Sequence, residues 1–332
     1  MVMIAGYANA AEWNFYGSSR VATFWTTADA NVAGVADVDA YNHGLQGNSR
    51  FGATVKVSDE LAGSFEYGTG VNVRKLYGEW NFGGGTFLVG QTYTPLCLFY
   101  SNQVFGSDTG LLDVGGVYSG RQPMLRLKYG AFQIALTSVD TTNNVAGATT
   151  EVTFPAIEAA YSLSLGSVGF KVAGGYQTFE GTVGTDSDDV DSYVVALGAS
   201  ASFGMVNVAG NIYTGQNPGN LIAVDNGGGW GSGGFASASV VTSQVLDADV
   251  IGYILVAGLK VNDMLSIELG YGGVSEELDG RAKDFDTKSY YASFPITLAP
   301  GVYVIPEAGV IDHDGSTLTE TTYFGAKWQI NF

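Results

Sequence analysis

Few residues in this chain could do chemistry, and most of those are charges set alternately with apolar side chains. Arg20, Arg50, Lys56, Lys75, Arg126 and Lys128 have Val21, Phe51, Val55, Leu76, Leu125 and Leu127 as neighbours. Alternate side chains of a strand point to opposite faces. These six cations therefore share one face, and the bulky apolar residues take the other. By the same parity Lys171, Lys260 and Lys327 join the cations. Glu12, Glu66, Glu79, Glu158, Glu268 and Glu307 oppose them. A wall with more fixed cations than carboxylates raises the local concentration of anions. The chemistry predicted is selection of charged solutes, with Arg20, Arg50 and Arg126 as its centre. Arg74 falls on the apolar parity and is assigned to a loop over 68–74.

Bond-making chemistry finds little support. Only two histidines occur, His43 and His313, both expected in loops, and neither pairs with a serine in a placeable triad. "DHD" (312–314) reads as a polar loop tip. Cys97 is the only cysteine, so no intrachain disulfide and no thiolate metal site is possible. "GWGSGG" (229–234) matches a dinucleotide fingerprint formally but has no strand–helix context. No cofactor is expected. The net charge of −18 argues against nucleic acid, which needs a basic face. "DSDDVD" (186–191), "EELD" (276–279) and "DFD" (284–286) read as solvated loop tips rather than metal sites.

The elements that must carry these residues are strands. The chain is 46% hydrophobic but only 14% charged, with 48 glycines and 7 prolines among 332 residues. No apolar run reaches the roughly 20 residues of a membrane-spanning helix. Period-two runs begin near 12, 50, 61, 75, 86, 124, 132, 156, 168, 192, 205, 250, 264, 289, 302 and 322. That predicts about sixteen strands. The connections alternate. Short ones fall at 58–60, 83–85, 129–131, 166–167, 204–205, 262–263 and 299–301. Long ones fall at 27–48, 94–122, 139–154, 178–190, 214–248, 273–287 and 311–321, with 68–74 modest. Short turns on one rim and long loops on the other is the pattern of a transmembrane antiparallel barrel. A soluble all-β module is the alternative, and it has no reason to keep every second connection short. Lipid outside and water inside would explain the two faces. "MVMIAGYANA" at the start ends in Ala8-Asn9-Ala10, and residues 1–10 are expected to be the remnant of a secretory signal.

The last ten residues, "YFGAKWQINF", put Phe324, Trp328, Ile330 and Phe332 on one parity. With this ending the chain resembles the general porins of Gram-negative outer membranes over roughly 11–332. "EWNFYGSSRVATFW" and "VGQTYTPL" are most similar to porins of dicarboxylate or anion type. The resemblance implies sixteen strands, homotrimers in outer-membrane lipid, and a third long loop folded into the lumen. It also implies that the terminal strand is read by the barrel-assembly machinery. The third long connection is 94–122, apolar for an exposed loop, and it offers Asp108, Asp113 and Arg121 to the lumen. It lacks the Pro-Glu-Phe-like tip frequent in porins. The function implied is passive diffusion of small hydrophilic solutes, with a mild preference for anions. A substrate-specific channel, for organic acids for example, or a barrel with adhesive loops are the alternatives.

Overall fold

A computed structural model describes residues 11–29, 36–143, 147–225, 239–241, 244–280, 284–314 and 320–332. The expected signal remnant (1–10) and the "GWGSGG" stretch lie outside the described residues. Sixteen antiparallel staves form one closed sheet. They are β1 (Glu12–Ala28), β2 (Val38–Leu45 and Arg50–Lys56), β3 (Leu61–Gly68), β4 (Val73–Asn81), β5 (Thr86–Tyr93), β6 (Arg121–Tyr129), β7 (Phe132–Thr137) and β8 (Thr149–Glu151 and Ala156–Leu165). The ring continues through β9 (Val168–Val183), β10 (Asp186–Phe203), β11 (Val206–Gln216), β12 (Ala248–Lys260), β13 (Ser266–Leu278), β14 (Phe285–Ser293 and Ile296–Ala299), β15 (Val302–Asp314) and β16 (Glu320–Asn331).

Closure joins β1 to β16 from Ser18 opposite Asn331 to Ala28 opposite Thr321. The backbones of Gly17 and Phe332 then exchange hydrogen bonds of 2.6 and 3.1 Å, which secures the last residue. Closing the ring satisfies every edge, as a bilayer requires. Outward positions carry the exposed apolar side chains. Trp13, Leu76, Leu125, Val195, Leu255, Phe324, Trp328 and Ile330 are all exposed. Trp25 stacks on Phe324 at 5.3 Å between ring centres, and Trp328 donates to Thr23. An apolar belt around a closed barrel is what lipid demands, because charge in the hydrocarbon is costly.

Several expected loops are strand. The stretch 178–190 was expected to be loop, yet β9 and β10 run on to a tight turn at 184–185. "DSDDVD" therefore lies on β10, not at a loop tip. His43 lies in the upper part of β2 and His313 in β15. The ladders continue past the end of the apolar alternation. Lipid imposes that alternation only at membrane depth, while backbone pairing carries on above it.

Inside, four aromatics each lie over a glycine on the neighbouring stave: Phe24 over Gly325, Tyr323 over Gly309, Tyr291 over Gly270 and Tyr213 over Gly252. A Cβ at Gly252 would collide with the Tyr213 ring. Large rings covering bare backbone help a sheet to curve and pin its register.

Candidate functional site: the constricted lumen

The connection 94–120 folds into the barrel. Leu96, Leu98, Val104, Leu111, Val114 and Val117 are buried, as expected for an apolar loop packed on the wall. The loop crosses to β12 and β13. There Gly115, in left-handed backbone (φ 84°), lies against the carbonyls of Tyr253 and Gly273. Any side chain at this position would strike backbone.

Three wall carboxylates hold the loop. Glu158 accepts from the Leu96 amide (2.9 Å) and the Ser119 hydroxyl (2.6 Å). Glu268 accepts from the amide and side chain of Asn102, at 2.8 and 2.7 Å. Glu307 accepts from the Val104 and Phe105 amides at 2.7 and 2.9 Å. Each carboxylate has traded water for donors of the loop. Bonds of this charged kind contribute about 1.5–3 kcal/mol each. Parity put these glutamates on the inner face, as acids opposing the wall cations. Their lone pairs are instead turned onto the loop.

An open cavity of about 690 Å³ remains beside the loop. Its wall residues, Arg20, Arg50, Arg74, Tyr93, Arg121 and Lys327 among them, come from β1, β2, β4, β5, β6 and β16. Asp108 and Asp113 of the loop also line it. Asp108 sits between two cations. It accepts from Arg20 and, at 2.8 Å, from the Lys327 ammonium, with Asn48 adding a third bond at 3.1 Å. Asn48 accepts in turn from Arg74 (2.7 Å), and the Arg74 Nε donates to Glu66 (2.8 Å). One polar chain thus links Glu66, Arg74, Asn48, Asp108, Arg20 and Lys327. Asn48 reaches this position because β2 breaks over 46–49.

Arg121 is placed differently. It donates to the Tyr93 hydroxyl (2.9 Å) and lies over that ring at 5.1 Å. Its position gives it no carboxylate within salt-bridge distance among the described residues. Arg50 is 4.0 Å and Lys75 3.7 Å from Glu66, a looser contact than Arg74 makes. Asp113 belongs to the loop, not to a spanning stave. Burial and the nearby Asp225 carboxylate push it up to about 6.

The structure brings together Arg20, Arg50, Asp108, Asp113 and Arg121, with Lys75 beside Glu66. It does not bring Lys56, Arg126 and Lys128 to the constriction. Lys56 pairs with Asp59 at the short-turn rim. Arg126 and Lys128 line a separate cavity of about 250 Å³ with Glu79, where Arg126 pairs with Glu79 at 3.6 Å. Parity gives the face of a residue but not its height along the stave, and Lys56 and Lys128 lie near the turns. Arg126 sits between the two cavities, pairing with Glu79 on one side while its guanidinium donates to the Tyr93 carbonyl (3.5 Å) at the edge of the main one.

Arg74 is the converse case. Glu66 opposes Lys75 and Tyr67 opposes Val73, so Arg74 is the unopposed residue of a bulge in β4. A bulge re-aims a side chain, and here it turns an outward parity inward. The sequence signal was the misfit itself, a lone charge among outward apolar residues.

A closed sixteen-stranded barrel with an apolar belt, a narrowed lumen and a loop latched inside it is the fold of an integral outer-membrane porin. Among solved structures, the outer membrane channel DcaP of Acinetobacter baumannii is similar at 17% identity, with a TM-score of 0.78 over 97% of both chains. OmpT of Vibrio cholerae is similar at 19% identity and 0.64, over 98% of this chain and 99% of that one. The anion-selective porin of Comamonas acidovorans is similar at 15% and 0.63, over 97% and 100%. No family model matches the chain, and no curated protein does. At these identities the likeness is one of fold.

Proposed function

We propose that the chain is a non-enzymatic outer-membrane channel that lets small hydrophilic solutes diffuse passively and prefers anions. The observation that carries this is the charge of the main cavity. Arg20, Arg50, Arg74, Arg121 and Lys327 line it with Asp108 and Asp113; Asp108 is held by Arg20 and Lys327 and Glu66 by Arg74, and cations remain in excess. Fixed positive charge in a narrow low-dielectric passage concentrates anions. A planar-bilayer reversal potential in a KCl gradient tests it. The expected sign is that of chloride moving faster than potassium, and clear cation selectivity would sink the reading.

A substrate-specific channel for organic acids has one observation of its own. Phe99 is 52% exposed although it lines the polar cavity. It packs with Tyr93 and Tyr118 at ring distances of 5.0 and 6.0 Å, next to Arg121. An apolar surface beside a guanidinium suits a carboxylate with an apolar body. Concentration-dependent block of the chloride current by benzoate, but not by acetate, would favour it over plain diffusion. The adhesion alternative concerns the long loops, which lie in part outside the described residues.

Homotrimeric assembly in outer-membrane lipid belongs to the same proposal, as does recognition of Phe324, Trp328, Ile330 and Phe332 by the barrel-assembly machinery. OmpT of Vibrio cholerae, similar in fold, has a trimer form. Cross-linking in detergent and the membrane yield of a Phe332 deletion test these two parts.

A further inference from the structure

The chain does not leave the barrel directly after β11. Asn217 takes a left-handed backbone (φ 46°), and its fully buried side chain is bonded three times. It donates to the Asp191 carbonyl (2.8 Å) and the Asp247 carboxylate (2.7 Å), and accepts from the Ala248 amide (2.9 Å). One 3-10 turn follows (Pro218–Asn220), and Asn220 donates to the carbonyls of Asp140 and Thr142 at 3.1 and 2.7 Å. Leu221, Ile222 and Val224 are then buried with Leu96, Leu98 and Val117 of the constriction loop. The Ala223 amide donates to the Tyr118 carbonyl (2.9 Å) and the Asp225 amide to the Asp113 carbonyl (2.8 Å). The segment is therefore tied by two backbone bonds to the turn and to the returning limb of the constriction loop. Its far end meets β15, where the Asp225 carboxylate lies 3.2 Å from Nε2 of His313.

We propose that residues 217–225 are a second constriction element. They form a strap that seals one half of the lumen and confines solutes to the arginine-lined half. Three observations converge on this. The strap's apolar side chains complete a core inside the barrel, made with Ala160, Ala173, Val194, Ala196, Val250 and Val274 of β8, β9, β10, β12 and β13. A diffusion channel would hold water where this core stands. The open cavity takes its wall residues from the other side of the ring, and its only strap residue is Ala223. The strap is also fixed to five separate elements: β10, β12, the connection after β7, the constriction loop and β15. Without it, the apolar face of the constriction loop would be open to water, and a second path free of arginines would lie beside the first. The sealing role stands on packing alone. The effect on ion preference rests on the anion reading above.

The test uses the full chain in planar bilayers and in sugar-swelling liposomes. Replacing Leu221, Ile222 and Val224 together by Ser should raise single-channel conductance by about twofold, the number of open paths going from one to two. Larger neutral sugars should enter, and the chloride-to-potassium ratio should fall toward one. A folded, heat-modifiable variant with unchanged conductance and sugar exclusion would overturn the strap. If the triple variant fails to fold, Ala223→Cys in a Cys97→Ser background decides. A negatively charged methanethiosulfonate should attach there and reduce the current, and an unaltered current under exhaustive labelling would overturn the proposal. The two readings fail separately. A cation-selective parent whose triple variant admits larger sugars rejects the anion preference and keeps the strap. An anion-selective parent whose folded triple variant is unchanged does the reverse.

Discussion

The lumen has two unlike halves. From β16 round to β6 the inner wall is polar and carries Arg20, Arg50, Arg74, Arg121 and Lys327 around an open cavity. From β8 to β13 the inner wall packs Ala160, Ala173, Val194 and Val250 with Leu96, Leu98, Val117, Leu221 and Ile222 into a core, and its polar groups, Glu158, Lys171, Asn211 and Glu268, are bonded to the constriction loop. One half resembles a channel and the other the interior of a soluble domain. Stave length does not follow this division. On the open side β3 and β5 have 8 residues each but β1 has 17, and on the packed side β9 and β10 have 16 and 18.

Changes in the two halves should have different signatures. The largest effect is expected from the packed half. Leu96→Ala removes a fully buried side chain from the core and should cost about 2–5 kcal/mol. It would be read as an earlier loss of the folded, heat-modifiable form, and the reversal potential should stay put. A selectivity change as large as the stability change would break the comparison.

The latch lies between the halves. Glu307→Gln keeps the shape but puts an NH2 group against one of two loop amides. Losing that charged bond should cost about 1.5–3 kcal/mol and add gating noise to single-channel records. Were Glu307 merely a lumenal charge, the same change would raise anion preference with quiet currents.

Next come the cations of the open half. Removing one charge a few ångströms from the ion path is worth on the order of 1 kcal/mol in water. Arg121→Gln should therefore lower the chloride-to-potassium ratio roughly fivefold and leave thermal stability almost unchanged. Lys128→Gln, near the short-turn rim, should change the ratio less, and equal effects at the two positions would deny the main cavity its special place.

The smallest expected effect is that of pH. Asp113 is held up to about 6. It is neutral below that value and negative above it, so the cavity gains a negative charge as pH rises through 6. Anion preference should fall modestly between pH 5 and 7. The raised value also means that the loop packing around Asp113 is favoured at low pH and loses support as pH rises through 6. Asp113→Asn should flatten both dependences in paired reversal-potential and melting measurements.

Much of this was legible in the sequence, and the misses share a cause. Starts of most staves agree within a few residues, because lipid enforces alternation and short turns punctuate it, but β2 begins at Val38 rather than 50, β8 at Thr149 rather than 156 and β10 at Asp186 rather than 192. Arg20, Arg50, Asp108, Asp113 and Arg121 were named, and they line one cavity. Arg74 was misplaced because parity counting breaks at a bulge, which only the partner strand reveals. Glu158, Glu268 and Glu307 were seen as lumenal acids, but their bonding depends on where a distant loop comes to rest. The strap at 217–225 was read as ordinary loop, since Pro, Gly and Asn look alike in a loop that folds in and one that stands out.

By itself the sequence determined the ring: an apolar face and a polar face alternating sixteen times, with an end that closes on the start. Alternation is local, and lipid and water read it stave by stave. Which half of that ring stays open was decided only in three dimensions. Two connections had to fold inward, find three glutamates and a bare apolar wall, and take the space from water. The bonds from loop to glutamate join residues as much as 203 positions apart, and none fewer than 39, and no local period records them.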